Sequence, residues 1–197
     1  MRSHAQEEKI FTGGLIVGAN LTQVDGDDYY GYHKIGLHTG ATVYVHFNRT
    51  WGASMDLLFS QKGSRGGTIS EYPGIGPAVD KYFIKLNYIE VPITLHCILC
   101  RFDLEAGLSY ARLLSTNEYA ISTQSIIIDP EANRFNTSDF NYVLGVQHEV
   151  YKRFTLGFRF QYSAISIRPF ERIPYGFVWG TEGQFNNMIC LRAIYSL

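Results

Sequence analysis

Eight charged side chains stand singly among Gly, Ser and Thr in strand-like stretches: Asp56, Lys62, Glu90, Asp103, Glu105, Glu149, Arg159 and Arg192. Both signs are present, and carboxylates withdrawn from water need cationic partners. Two chemistries fit them. One is an ion path through Glu90, Glu105 and Glu149 gated by Arg159 and Arg192. The other is a set of mutual salt bridges that fills a narrow interior. If these stretches are strands around a narrow interior, their own side chains fill it, so the filled interior is the expectation. His38, His46 and His96 share the polar faces and read as interior histidines with ordinary partners. Cys97 and Cys100 bracket a short turn and Cys190 stands apart, with no second pair or nearby His to complete a zinc set. No metal and no cofactor is expected. A serine hydrolase could be assembled from Ser54, His38 and Asp56. They carry no nucleophile elbow or other local signature, so a non-enzymatic chain is expected.

A second constellation is aromatic and basic. Arg168, Phe170, Arg172, Tyr175, Phe177 and Trp179 fall in one connection. Arg and aromatic side chains at this density are the usual anchors of contact surfaces, and long loops on rigid scaffolds often carry function. This connection is the candidate partner-binding loop; the same residues could instead close a barrel mouth or dip into lipid headgroups. Asp25, Asp27 and Asp28, in an earlier connection, could hold a divalent cation weakly or simply form a solvated acidic loop.

The elements that must position these residues are strands. No long window places apolar residues at helical spacing, and period-two alternation dominates. It marks eight strands, at about 11–21, 34–47, 51–62, 82–97, 101–114, 141–151, 154–165 and 188–197. In the third, Ala53, Met55, Leu57 and Phe59 oppose Ser54, Asp56, Ser60 and Lys62. In the seventh, Phe154, Leu156, Phe158 and Phe160 oppose Thr155, Gly157, Arg159 and Gln161. Ile16, Leu58 and Val143 break the rule on the polar side. Three tight links, around 48–50, 98–100 and 151–153, alternate with four long ones, at 22–33, 63–81, 115–140 and 166–184. Transmembrane barrels have this bias of short turns on one side and long loops on the other.

Composition agrees. The 197 residues carry a net charge of −1, which disfavours a nucleic-acid partner, and 15% are aromatic, with 19 Gly. Mean hydropathy is −0.07, as when an apolar outer face and a polar lumen average out. A water-facing surface would carry many Lys and Glu; this polar face carries space-making Gly and Ser. Phe47, Trp51, Phe102, Phe154 and Tyr195 lie near the short turns, where an aromatic girdle belongs. The expected fold is all-β: an eight-stranded antiparallel up-and-down transmembrane β-barrel over residues 11–197. Residues 1–10 read as a tail with the remnant of an export signal, Ser3 and Ala5 preceding a cleavage point.

Gly13–Leu21, Met55–Gly63, Leu86–Ile93, Leu104–Gly107 and Tyr142–Gly145 together resemble the PorT-like outer-membrane barrel family. Leu86-Asn87-Tyr88, then Glu90 and Pro92, is the most similar run. Asp56 stands where that family more often has Glu, and Leu197 where it more often has Phe. The resemblance implies a barrel in a Bacteroidota-type outer membrane, with outer-membrane lipids and envelope proteins as partners. Short turns and both termini would be periplasmic. The role expected is a structural or interaction component of an envelope or protein-secretion assembly. The alternatives are a small barrel enzyme modifying outer-membrane lipids, with a Ser–His pair at the lipid-facing rim, and a soluble lipocalin-like binder.

Overall fold

Alternation of small polar and bulky apolar residues gives each strand one face for the interior and one for the outside. In the computed structural model these strands close on themselves. Residues 10–27, 29–72, 76–121, 128–174 and 182–197 are described, with side chains outside 68–80. The tail expected over 1–10 lies outside them except for Ile10. The strands are β1 (Phe11–Asp25), β2 (Lys34–His46), β3 (Trp51–Tyr72), β4 (Gly76–Leu99), β5 (Phe102–Ile121), β6 (Ser138–Tyr151), β7 (Phe154–Ser163) and β8 (Phe185–Ser196). Each pairs antiparallel with its neighbours in sequence order, and β8 pairs back onto β1 from Gly14↔Ser196 to Asp25↔Phe185. Closure leaves no edge, the condition a sheet must meet to cross a bilayer.

Leu15, Val17, Met55, Leu57, Ile93, Leu95, Leu108, Leu144, Leu156 and Leu191 are all more than half exposed. This outward apolar band is the reverse of a soluble barrel, which hides such residues. Phe47, Trp51, Phe102, Phe154 and Tyr195 are exposed beside the short turns. A second aromatic group, with the Tyr110 and Phe140 ring centroids 5.2 Å apart, lies further up the wall. From Phe102 to Tyr110 the strand rises about 27 Å, or about 20 Å of height after a tilt of about 40°. That approaches the apolar thickness a barrel presents to lipid.

The structure corrects one connection. The stretch 63–81 is expected as a loop, yet β3 and β4 run on as a paired hairpin from Gly63↔Lys85 to Tyr72↔Gly76. Above the bilayer a hairpin needs its backbone ladder but no lipid-facing side, so the alternation that marks a membrane strand is missing there. β5 likewise extends to Ile121 and β6 begins at Ser138. The three apolar exceptions, Ile16, Leu58 and Val143, point inward and are buried.

A charge placed on the outer band should be expelled. Leu57, 60% exposed at mid-height of β3, replaced by Arg should cost about 2–4 kcal/mol of folding free energy in a bilayer. Refolding into lipid vesicles, followed by the heat-dependent gel shift, should show the loss; an unchanged folded fraction would contradict the assignment of this face to lipid.

Candidate functional site: the luminal charges and the two mouths

The inner faces of β3, β5, β7 and β8 converge on one cluster. Arg159 Nε and Nη2 donate to the two Glu105 oxygens, each at 2.8 Å, in a forked pair. Its Nη1 donates to Asp56 Oδ2 at 2.9 Å. Arg192 Nη2 reaches both Glu105 oxygens at 2.7 Å, and its Nη1 lies 3.4 Å from Asp56 Oδ2. Two guanidinium groups thus share two carboxylates, all four residues being at most 4% exposed. Forked Arg–carboxylate geometry is among the strongest charge-assisted hydrogen bonding available.

Glycines make the room. Gly145 lies between Glu105 and Arg159 in the register, and a Cβ there would sit 2.3 Å from Glu105 Oε1. Gly18 faces Arg192 across the β1–β8 pairing, where a Cβ would meet Leu191 O at 2.5 Å and the Arg192 backbone at 3.0 Å. The inward glycines are the space that the long cations occupy.

A second cluster lies further toward the long loops. Lys62 Nζ donates to Glu90 Oε1 at 3.2 Å and Asn141 Oδ1 at 3.1 Å, and is 3.6 Å from Asp139 Oδ2. Ser109 donates to Glu90 and Ser163 to Asp139. Asp139 lies just before the sixth strand that the sequence predicts from about Asn141. Its period-two continuity with Asn141, Val143, Gly145 and Gln147 is the signal that places it inward. Leu58 separates the two clusters along β3.

The other residues sort as follows. Asp103 is 18% exposed and binds His96, not an arginine. Glu149 is exposed at the short-turn rim and so does not belong to the buried network, a correction that follows from its place as the last residue of the regular β6–β7 pairing, where the register shifts. The combination of Ser54, His38 and Asp56 is not formed, since His38 pairs in register with Ser60, three inward positions from Ser54. Instead, Ser54 Oγ lies 2.9 Å from His96 Nε2, and His96 Nδ1 lies 3.0 Å from Asp103 Oδ2. Cys97, Cys100 and Cys190 are free thiols, and Cys190 is buried facing the lumen. No cluster of three or more His, Cys, Asp or Glu side chains suited to a metal occurs among the described residues.

At the long-loop mouth, Val24, Tyr82, Ile84, Leu86, Phe135 and Ile167 form an apolar core. Arg168 is expected in the partner-binding loop, but it is wholly buried here. Its guanidinium forks onto Glu118 at 2.7 and 2.8 Å, reaches Tyr82 Oη at 2.8 Å, and lies 4.0 Å from the Phe135 ring centre. Burial of Phe135 and Ile167 beside it creates an apolar site that the ion pair fastens shut, so Arg168 is a clasp and not a contact residue. Phe170 is 41% exposed, and half-buried Arg172 reaches Asn136 Oδ1 at 3.2 Å. Tyr175, Phe177 and Trp179 lie outside the described residues, as does Asp28. Asp25 binds Gln23 and Asn187, while buried Asp27 accepts the Tyr29 amide at 3.0 Å.

The profile of the family described as outer membrane protein beta-barrel domain matches residues 5–167, most of the chain. The chain belongs to that family. Membership places this barrel in an outer membrane, consistent with its outward apolar band. Among solved structures, Ail, the attachment invasion locus protein of Yersinia pestis, is 14% identical, with 94% of this chain and 98% of that one covered and a TM-score of 0.49. Its complex with the heparin analogue sucrose octasulfate gives 15% identity, coverage of 94% and 99%, and a TM-score of 0.47. A mutant porin of Rh. blastica gives 7% identity, coverage of 95% and 99%, and a TM-score of 0.22. No curated protein matches the chain in sequence.

Removing one shared carboxylate should unbalance the whole cluster. Glu105→Gln leaves Arg159 and Arg192 with Asp56 alone and should destabilise the barrel by about 3–5 kcal/mol. Denaturant midpoints in micelles read this directly, and a midpoint equal to wild type would show that the cluster does not hold the fold. Burial also pushes Asp27, on the loop side, up to about 6. A raised carboxyl stabilises the fold when protonated: its contribution is complete below about 4 and is lost as pH rises through about 6. Amide hydrogen exchange around Tyr29, corrected for intrinsic rate, should be slower at pH 5 than at pH 7.5. Asp27→Asn should abolish that difference.

Proposed function

We propose that the protein is a closed outer-membrane barrel serving as a structural or interaction component of an envelope or protein-secretion assembly. The observation that carries this reading is the filled lumen. Arg159, Lys62, Tyr82, Tyr88, Leu58 and Met188 are all less than 2% exposed, so the described interior offers side chains where a pore would offer a path. Contact then falls to the outer wall, the membrane lipids and the long loops. Phe170 is the exposed anchor of the described part of the fourth loop, and Arg172 braces it. The PorT-like runs at Met55–Gly63 and Leu86–Ile93 support placing it with secretion-associated barrels, with short turns and both termini in the periplasm. The lipid-modifying alternative calls for a Ser–His pair on the lipid-facing rim. The pair found here faces the lumen.

Two measurements test this. In planar bilayers the refolded protein should give no discrete single-channel steps; a stable conductance would overturn the closed lumen. In intact cells, a photo-crosslinking residue at position 170 should yield defined adducts with envelope proteins, identified by mass spectrometry. Adducts with lipid alone would remove the interaction role.

A further inference from the structure

Beyond a role in contact, the short-turn mouth opens into a cavity of about 700 Å³ lined by His46, Ser54, His96, Asp103, His148 and Arg192 among others. That volume accommodates a small organic ligand. On its wall, three side chains from three consecutive strands form a chain of hydrogen bonds. Ser54 Oγ on β3 is 2.9 Å from His96 Nε2 on β4, and His96 Nδ1 is 3.0 and 3.1 Å from the two oxygens of Asp103 on β5. We propose that Ser54, His96 and Asp103 form a nucleophilic site for acyl transfer from small carboxylic esters that enter through the short-turn mouth.

The geometry supplies a nucleophile, a base and a carboxylate that orients the base. A carboxylate only accepts, so Asp103 fixes the His96 proton on Nδ1 and leaves Nε2 bare to take the serine proton. Gln147 Nε2 donates to Asp103 Oδ2 at 2.7 Å and holds that carboxylate in place. Glu105 Oε2, 3.9 Å from His96 Nε2, adds a second negative charge facing the imidazolium that forms. Tyr44 stands opposite Ser54 in the β2–β3 register. Its ring lies 4.7 Å from that of His96, in a space that Gly52 leaves open, where a Cβ would be 2.5 Å from the Tyr44 ring and hydroxyl. The Tyr44 hydroxyl is buried with no hydrogen-bond partner among the described residues. It is the donor available to a developing oxyanion. Absence of a nucleophile elbow does not count against this site. An elbow exposes a serine above a covered sheet, whereas an inward strand residue at a barrel mouth is already presented to the cavity.

In the reaction, Ser54 Oγ bonds to the acyl carbon as its proton passes to His96 Nε2. The bond from that carbon to the alcohol oxygen breaks, and the alcohol leaves with the proton from His96. Water then attacks the acyl-serine, giving its proton to His96. The ester bond to Ser54 breaks, and the carboxylic acid departs as Ser54 regains its hydrogen. Thr94 Oγ1, 2.9 Å from Ser54 Oγ and 3.0 Å from His96 Nε2, is the rival hydroxyl, and the test must tell the two apart.

The full chain folded in micelles is treated with a fluorophosphonate, which loses fluoride as a serine oxygen bonds to phosphorus. One adduct per chain, mapped to Ser54, is expected. No adduct, or one mapped to Thr94, overturns the proposal. Hydrolysis of 4-nitrophenyl butyrate should fall about 100-fold or more in Ser54→Ala and His96→Gln, each checked for folding by its heat-dependent gel shift. Tyr44→Phe should lower kcat about 100-fold. As a positioning residue, Asp103 changed to Asn should lower kcat and leave KM unchanged. Equal rates for folded Ser54→Ala and wild type would also overturn it, and because the adduct is read on the unaltered chain, a variant that fails to fold still leaves a decision.

Discussion

Two guanidinium groups sharing two carboxylates in a low-dielectric lumen set the terms for the rest of this molecule. Arg159 and Arg192 repel one another, and neither could be withdrawn from water alone. Asp56 and Glu105 neutralise the pair through contacts at 2.7–2.9 Å, while buried Arg192 Nε has no hydrogen-bond partner among the described residues. Four strands are tied across the interior as a result, independently of the backbone ladder. The outer band gains on transfer from water to lipid, but lipid meets any apolar side chain alike and so does not specify how the strands close. Specificity of closure must therefore come from the ladder and from what fills the inside.

The filling also divides the molecule along its axis. The lower cluster is balanced between two arginines and two acidic residues. The upper one places Lys62 between Glu90 and Asp139, with hydroxyl and amide groups supplying the remaining contacts. Above that, the interior turns apolar and aromatic, and the Arg168–Glu118 pair fastens it. Below, it opens to water. Among the described residues, one end is therefore a plug and the other a cavity open toward the short turns.

The same asymmetry separates the two roles argued for this chain. At the long-loop end the described residues form a packed apolar core, which leaves exposed side chains such as Phe170 for recognition. The cavity at the other end gathers Ser54, His96 and Asp103, whose polar contacts a purely structural lumen would also need. A buried histidine requires partners whatever it does. What distinguishes this one is that its serine faces a cavity whose lining also includes Tyr44, with its unpartnered hydroxyl.

Period-two alternation marked the eight strands, and the alternation of short and long links pointed to their up-and-down order. The Gly- and Ser-rich polar face pointed to the opposite face as the one that meets lipid. All of these are local features of the sequence. Period-two alternation also determined that Gly accompanies the inward charges, since a narrow interior cannot hold long side chains on every strand. Ranges were less legible: β3 and β4 continue beyond the bilayer, where backbone pairing persists and the lipid-facing alternation ends. Only the tertiary structure decided which residues meet. Ser54 binds His96 and not His38, Arg168 turns inward to Glu118, and Glu149 stays at the rim. Those outcomes depend on the register and stagger between strands distant in sequence, which shift a side chain by several ångströms along the barrel axis without changing the face on which it lies.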